Sequence, residues 1–237
     1  WSFLLKKVDI ITCPTKNTLQ YMKNLKITDE TKLKLLYDPV FSIKEIAKKR
    51  NQNILSYNDD FIAVGRLTKQ KNFEFLIKNF REVLKIDNSL RLSIFGEGEE
   101  KKKLTSLIRK YNLEQNVTLR SFKQNIFPYM LKSKSLVLTS NWEDPGFVLI
   151  ESAVCRAFLI SSNCENGPVE ILDNNKAGLL FEKNASDDFL RVLKDFLNMS
   201  NEEVMNKKKN AMKKAKLFTI FNHSKDLHRI INELTSK

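Results

Sequence analysis

Between residues 61 and 181 the chain alternates short apolar runs with longer stretches whose apolar residues recur every three or four positions, and few folds satisfy that rhythm. Phe61 to Val64 ends at Gly65, and residues 72–86 then repeat Phe73, Leu76, Ile77, Phe80, Val83 and Leu84 at helical spacing. Leu90 to Phe95 stops at Gly96, ahead of a helix over 99–111. Val117 to Leu119 precedes a short helix over 125–132, and Ser135 to Thr139 precedes one over 147–156. Phe158 to Ser161 leads to a helical turn at Pro168 to Leu172; Leu179 to Phe181 closes the set, with Ser186 or Asp187 as the expected cap of the next helix. Strands followed by helices, six times over, predict an α/β fold: a Rossmann-like parallel sheet with helices on both faces.

The two ends break this pattern. Val8 to Thr12 reads as a strand, residues 15–24 as a helix and Leu33 to Tyr37 as a strand, with a basic helix near 43–51. Residues 202–216 and 222–234 read as helices separated by a break at Phe218 to Phe221. The expected organisation is therefore 1–54 as the end of a preceding domain plus linker, 55–200 as the Rossmann-like domain, and 201–237 as C-terminal helices, the last crossing back towards the N-terminal part. The chain opens at Trp1 without a methionine or a signal-peptide pattern, which suggests a piece of something longer.

Open parallel sheets bind ligands where strands end and helices begin. Three such loops carry unusual residues. In Gly65-Arg66-Leu67-Thr68-Lys69-Gln70-Lys71-Asn72, two cations straddle the expected helix start, where amides and dipole already favour an anion such as a diphosphate; an ordinary turn with solvated charges reads equally well. In Trp142 to Glu151, two carboxylates flank a Pro145-Gly146 turn. Glu151 falls beside Val148, Leu149, Ile150, Ala153 and Val154, so it needs a partner such as ligand hydroxyls, or a structural salt bridge. Two acids also fit a glycosidase pair, which a neighbouring diphosphate cradle makes the poorer match. In Cys164 to Glu170, Gly167-Pro168 is a favoured helix start or a simple turn.

The formal net charge is +13, with lysine clusters spread along the chain. A solvated lysine-rich surface is the leading reading and attraction to an anionic membrane the next. Nucleic acid ranks last, because the clusters lack interleaved aromatics. Cys13, Cys155 and Cys164 have neither zinc nor redox spacing and read as free thiols. No apolar run approaches the roughly 20 residues of a spanning helix. His223 and His228, five apart, do not share a helix face and read as surface or packing residues.

Taken together, Gly65-Arg66-Leu67 with Lys71, the Glu143 to Glu151 pair, and Asn166-Gly167-Pro168-Val169-Glu170 resemble glycosyltransferase family 4, the group 1 glycosyltransferases, over residues 60–182. Gly96-Glu97-Gly98-Glu99 fits the same family's strand-ending loop. The resemblance implies the donor-binding half of a fold with two facing Rossmann-like domains (GT-B). It implies that Arg66 and Lys71 hold a donor diphosphate, Glu143 the transferred sugar and Glu151 the ribose. Gly65, Gly96 and the backbone of Gly146, Phe147 and Val148 would complete the donor site. Arg120 to Phe122 would meet the base, although Ser121 stands where the family often has glycine. The implied reaction is sugar transfer with retention, from a nucleotide sugar (UDP-sugar expected, GDP the alternative) to a glycan or lipid-linked acceptor of envelope polysaccharide or glycoprotein synthesis. It needs no metal and no cofactor besides the donor. The implied place is the cytoplasm, or peripherally the cytoplasmic membrane face. The family's glycine-rich first loop and acceptor site have no counterpart in residues 1–54. A free-standing chain is therefore expected to transfer little, and a non-catalytic nucleotide-sugar module needing a separate acceptor domain is the alternative.

Overall fold

The four inner strands of the main sheet are buried along nearly their whole length, and the computed structural model shows why. The structure describes residues 2–5, 7–50, 54 and 57–235. Six parallel strands lie in the order β5-β4-β3-β6-β7-β8: β3 (Phe61–Val64), β4 (Leu92–Phe95), β5 (Val117–Arg120), β6 (Ser135–Leu138), β7 (Phe158–Ser162) and β8 (Leu179–Phe181). Side chains alternate across a strand, so Phe61 and Ala63 enter one core while Ile62 enters the other. Helices α4 (Phe73–Val83), α5 (Lys101–Lys110) and α9 (Ser186–Asn198) close the first core, around Phe80, Leu104 and Phe196. The second lies beneath α6 (Phe127–Lys132), α7 (Phe147–Val154), the short α8 (Pro168–Ile171) and α10 (Asn201–Ala215), around Met130, Leu149 and Ala211. The Rossmann-like parallel sheet expected from the periodicity is the fold observed.

Ahead of this sheet come α1 (Ser2–Leu5), β1 (Ile11–Cys13), α2 (Lys16–Leu25), β2 (Leu33–Leu35) and α3 (Ile43–Arg50). Strands β1 and β2 pair in parallel as a separate two-stranded sheet, with Thr12 opposite Lys34. Thr15 caps α2, its side chain accepting from the Thr18 amide. After α10, a 3₁₀ turn (Lys216–Phe218) leads into α11 (Ile220–Thr235). This helix lies along β2 and the segment that follows it: the Ile220 amide donates to the Phe41 carbonyl at 3.0 Å, and Lys34 of β2 pairs with Glu233 at 3.2 Å. The boundary expected at residue 55 lies outside the described residues.

Several expected element ends move. The strand expected over 33–37 stops at Leu35, because the chain turns towards α11 and the Tyr37 carbonyl meets His223 Nδ1 at 2.7 Å. Neither Ser186 nor Asp187 caps α9: Ser186 is its first residue, and Ala185 in the cap position makes no side-chain cap bond. Asp188 instead accepts from the Glu182 amide at 2.7 Å. The break between the last two helices narrows to Thr219. His223 packs and His228 is exposed, as the spacing suggested.

Candidate active site

The strand order fixes where a ligand can bind. From β3 the chain winds outward through β4 and β5, then returns to the other side of β3 and winds through β6, β7 and β8. The reversal leaves a crevice between the loops that follow β3 and β6, the switch point at which open α/β sheets bind ligands. Those two loops carry Lys71 and Glu143, and they are stitched together. Thr139 Oγ1 donates to the Lys71 carbonyl at 3.0 Å, and the Asn141 amide donates to the Gln70 carbonyl at 2.8 Å. The Gln70 side-chain amide in turn donates to the Trp142 carbonyl at 3.0 Å.

Within this frame Lys71 Nζ lies 2.5 Å from Glu143 Oε1. The pair is sheltered, with side-chain exposures of 14% and 5%. Ser140 Oγ donates to the same carboxylate oxygen at 2.5 Å. Ser140 is itself held by β7, since Ser162 Oγ donates to its carbonyl at 2.7 Å. A buried carboxylate is tolerated only when paired and hydrogen-bonded, and here a lysine and a hydroxyl do both. The Lys71 stem passes over Gly65, where a β-carbon would lie 3.1 Å from its methylenes. Gly96 is tighter still, because a β-carbon there would sit 1.9 Å from the Gly65 carbonyl oxygen. The ends of β3 and β4 can approach this closely only as glycines.

Beside the pair opens a cavity of about 500 Å³ at the ends of β3, β4 and β5. Gly65, Arg66, Gly96 and Phe122 line it, with Glu151 from α7. Phe122 is 70% exposed, an aromatic face without a partner ring among the described residues. Arg66 is exposed, its guanidinium 3.4 Å from Gln70 Oε1. The Glu151 carboxylate makes no hydrogen bond among the described residues; its backbone carbonyl accepts from the Cys155 amide. Burial pushes its carboxyl above the usual range, and the charge of Lys49 partly offsets that. A carboxylate held at such a cost beside an open cavity is ready to accept from ligand hydroxyls.

Not every anticipated residue faces this space. Arg120 does not line the cavity: it curls back along the sheet, Nε donating to Ser93 Oγ at 2.6 Å and the guanidinium pairing with Asp59 at 3.1 Å. Tyr57 and Phe95 flank it. Asp59 is sheltered, with a side-chain exposure of 12%, and would otherwise rely on the Ser93 hydroxyl alone, so the strand-end arginine turns inward to pair with it. Val148 is buried in the second core and offers only backbone, whereas Phe147 is exposed at the start of α7. Arg66 and Lys71 both precede α4 instead of straddling its start, which falls at Phe73 behind a left-handed Asn72.

Residues that the loops did not advertise also line the cavity: Lys49 from α3, and Lys123, Gln124, Ile126 and Phe127 after β5. Lys49 sits in a helix whose only sequence signal was charge, where it pairs with Glu45 at 2.5 Å. Glu170, singled out in the sequence only as the end of the Gly167-Pro168 motif, has a tying role that the motif does not reveal. Its carboxylate accepts from the Tyr37 hydroxyl at 2.5 Å and from the Lys16 amide at 2.9 Å, tying α8 to the segment around the small sheet. Burial and the Glu170 bond both push the Tyr37 hydroxyl upwards. Cys164 is raised to about 11, chiefly by burial, and all three cysteines are free and buried.

Comparisons with known proteins agree with this fold. The family model described as glycosyl transferases group 1 matches residues 44–216. A Campylobacter jejuni N-acetylgalactosamine-N,N'-diacetylbacillosaminyl-diphospho-undecaprenol 4-alpha-N-acetylgalactosaminyltransferase is 32% identical over 197 residues, 83% of this chain and 53% of that protein. A Staphylococcus aureus poly(ribitol-phosphate) alpha-N-acetylglucosaminyltransferase is 26% identical over 67% of this chain and 32% of its own length. The chain thus spans about half the length, or less, of these curated relatives. Among solved structures, Anabaena HepE in complex with UDP and glucose superposes with a TM-score of 0.78 at 17% identity, covering 95% of this chain and 64% of that one. Staphylococcus aureus TarM in complex with UDP, alpha-GlcNAc-glycerol and fondaparinux gives 0.78 at 20% identity, covering 95% and 44%. These structures share the fold, and the sequence matches show the family: the chain belongs to the group 1 glycosyltransferases.

Proposed function

We propose that this chain forms the donor side of a retaining glycosyltransferase, which moves a sugar from a UDP-sugar to a glycan or lipid-linked acceptor in envelope polysaccharide or glycoprotein synthesis. The observation that carries the reading is the sheltered Lys71–Glu143 pair at the switch point, beside a cavity lined by Arg66 and Glu151. Donor binding exchanges that ion pair for ligand contacts. Lys71 and Arg66 take the diphosphate, and Glu143 turns to hydroxyls of the transferred sugar. Glu151 accepts from the ribose, and Phe122 with its neighbours after β5 covers the base. As the glycosidic bond breaks, negative charge grows on the leaving diphosphate. Cations fixed beforehand in a sheltered site stabilise it most where it is largest, and no metal is required. The names of the Campylobacter and Staphylococcus relatives, one a diphospho-undecaprenol and the other a poly(ribitol-phosphate) transferase, support an acceptor carried on lipid or in the envelope. None of the described helices is long and apolar enough to cross a membrane. The proposed place is the cytoplasmic side, with peripheral contact to an anionic membrane, for which the net charge of +13 argues.

Calorimetric titration with UDP and GDP tests the donor reading. UDP is expected to bind the chain more tightly than GDP. Lys71→Ala and Arg66→Ala each remove a charge-assisted contact and weaken binding by roughly 1.5–3 kcal/mol. Equal, mutation-insensitive heats for both nucleotides would contradict it.

A further inference from the structure

At the opposite end of the main sheet from the donor cavity lies a second recess that the transferase reading does not use. Helix α7 starts at the strand ends that carry the donor site and runs back, so its last turn and Arg156 reach the far end. There α10 crosses it, and a cavity of about 360 Å³ opens among Arg156, Lys208, Lys209, Met205 and Met212. Through Arg156 and Met212 it continues into a second hollow of about 230 Å³, whose walls are mainly apolar (Phe41, Ile43, Ile46 and Val154), together with Lys216 and Thr219. One end of this cleft is cationic and the other mainly apolar.

The charges there are uncompensated. No carboxylate lines either hollow. Arg156, Lys208 and Lys209 make no ion pair among the described residues, whereas Lys78 on α4 and Lys101 and Lys103 on α5 each pair with a glutamate. Burial alone pulls the Lys208 ammonium below the usual lysine range, with no acidic neighbour to restore it. Apolar side chains are exposed in both hollows: Ile43 is 70% accessible in the second and Met205 57% in the first. Cations that lack counter-ions beside open apolar and methionine side chains complement an anionic amphiphile. A nucleic acid would call for stacking rings, and neither hollow offers one that is exposed.

We propose that this cleft docks the protein on an anionic bilayer, a lipid phosphate lying among Arg156, Lys208 and Lys209 and the upper acyl chain against Ile43, Val154 and Met212. The assignment rests on the peripheral-membrane part of the function proposed above and gives that contact a face. Helix α3 runs from Ile43 in the cleft to Lys49 at the donor cavity, so one helix separates the docking face from the donor site.

Co-sedimentation with phosphatidylglycerol-containing and pure phosphatidylcholine vesicles tests it, using three forms of the whole chain. The first is unaltered. The second carries Arg156→Gln, Lys208→Gln and Lys209→Gln. The third carries Lys102→Gln, Arg109→Gln and Lys110→Gln on α5, the same loss of charge at another exposed, unpaired site. The cleft variant is expected to lose at least about tenfold in affinity for anionic vesicles, and the α5 variant far less. Ile43→Asn should leave binding at low salt but lower the fraction that stays bound at high salt, where charge attraction is screened. Equal losses in the two triple variants would sink the cleft assignment while leaving membrane association standing. Absence of binding to anionic vesicles would overturn both. Glycerol phosphate that displaces the protein from vesicles as effectively as anionic lipid would show a free-anion site and overturn docking.

Discussion

At the scale of single residues, the site is a set of charges held at a cost to the folded chain. Glu143 is only 4% exposed and relies on Lys71 and Ser140. Lys71→Ala should therefore destabilise the protein by about 3–5 kcal/mol, because it strands a buried carboxylate. Adding Glu143→Gln should recover most of that loss, a non-additivity that urea denaturation of the four forms reads directly. Glu151 behaves differently. Its raised carboxyl pKa means that the folded chain holds the proton more readily than the unfolded one. Below the ordinary glutamate pKa both states are protonated and nothing is lost; as pH rises through the elevated value, stability falls. Glu151→Gln is thus expected to raise the melting temperature at neutral pH and not at strongly acidic pH, while weakening UDP binding. A lower melting temperature at neutral pH would contradict this account. The sequence announced both glutamates through their spacing around Pro145-Gly146. It did not announce that Arg120 would turn inward, since its partners Asp59 and Ser93 lie 61 and 27 positions away.

At the scale of elements, strand and helix periodicity located the whole main sheet, because parallel strands buried on both faces read as continuous apolar runs. Element ends were less legible. Asn72, Arg156 and Asn166 adopt left-handed backbone that no apolar pattern reveals. The glycines that close the strand ends were visible as letters, but the contacts requiring them were not. Gly96→Ala would push a β-carbon to 1.9 Å from the Gly65 carbonyl oxygen, and Gly167→Ala to 1.8 Å from that of Pro145, where φ is also +131°. Both should cost roughly 1–3 kcal/mol or more in chemical denaturation. Gly96→Ala should also weaken UDP binding, since relief requires the β3 and β4 ends to part at the cavity floor. Unchanged stability in both variants would mean that the strand ends are looser than described.

At the scale of the molecule, contacts between distant segments tie the first residues to α8 and the last helix to those residues, and local pattern could not show them. The Tyr37–Glu170 bond spans 133 positions. Tyr37→Phe should cost about 1–2 kcal/mol by leaving that carboxylate with one fewer donor, measurable as a lower denaturation midpoint. The same long-range order builds the proposed donor site, whose cavity draws on α3, α7 and three strand ends. Lys49 could not be recognised from its own helix because its role depends on where that helix packs. This cavity and the adjoining Lys71–Glu143 pair are proposed to form one nucleotide-sugar site, and following backbone amide resonances during titration with UDP tests that assignment. Shifts are expected to be confined to residues 65–71, 96–97, 122–127 and 143–151, and to be abolished together by Lys71→Ala combined with Arg66→Ala. Shifts centred instead on α10 and Arg156, or none at saturating UDP, would contradict it.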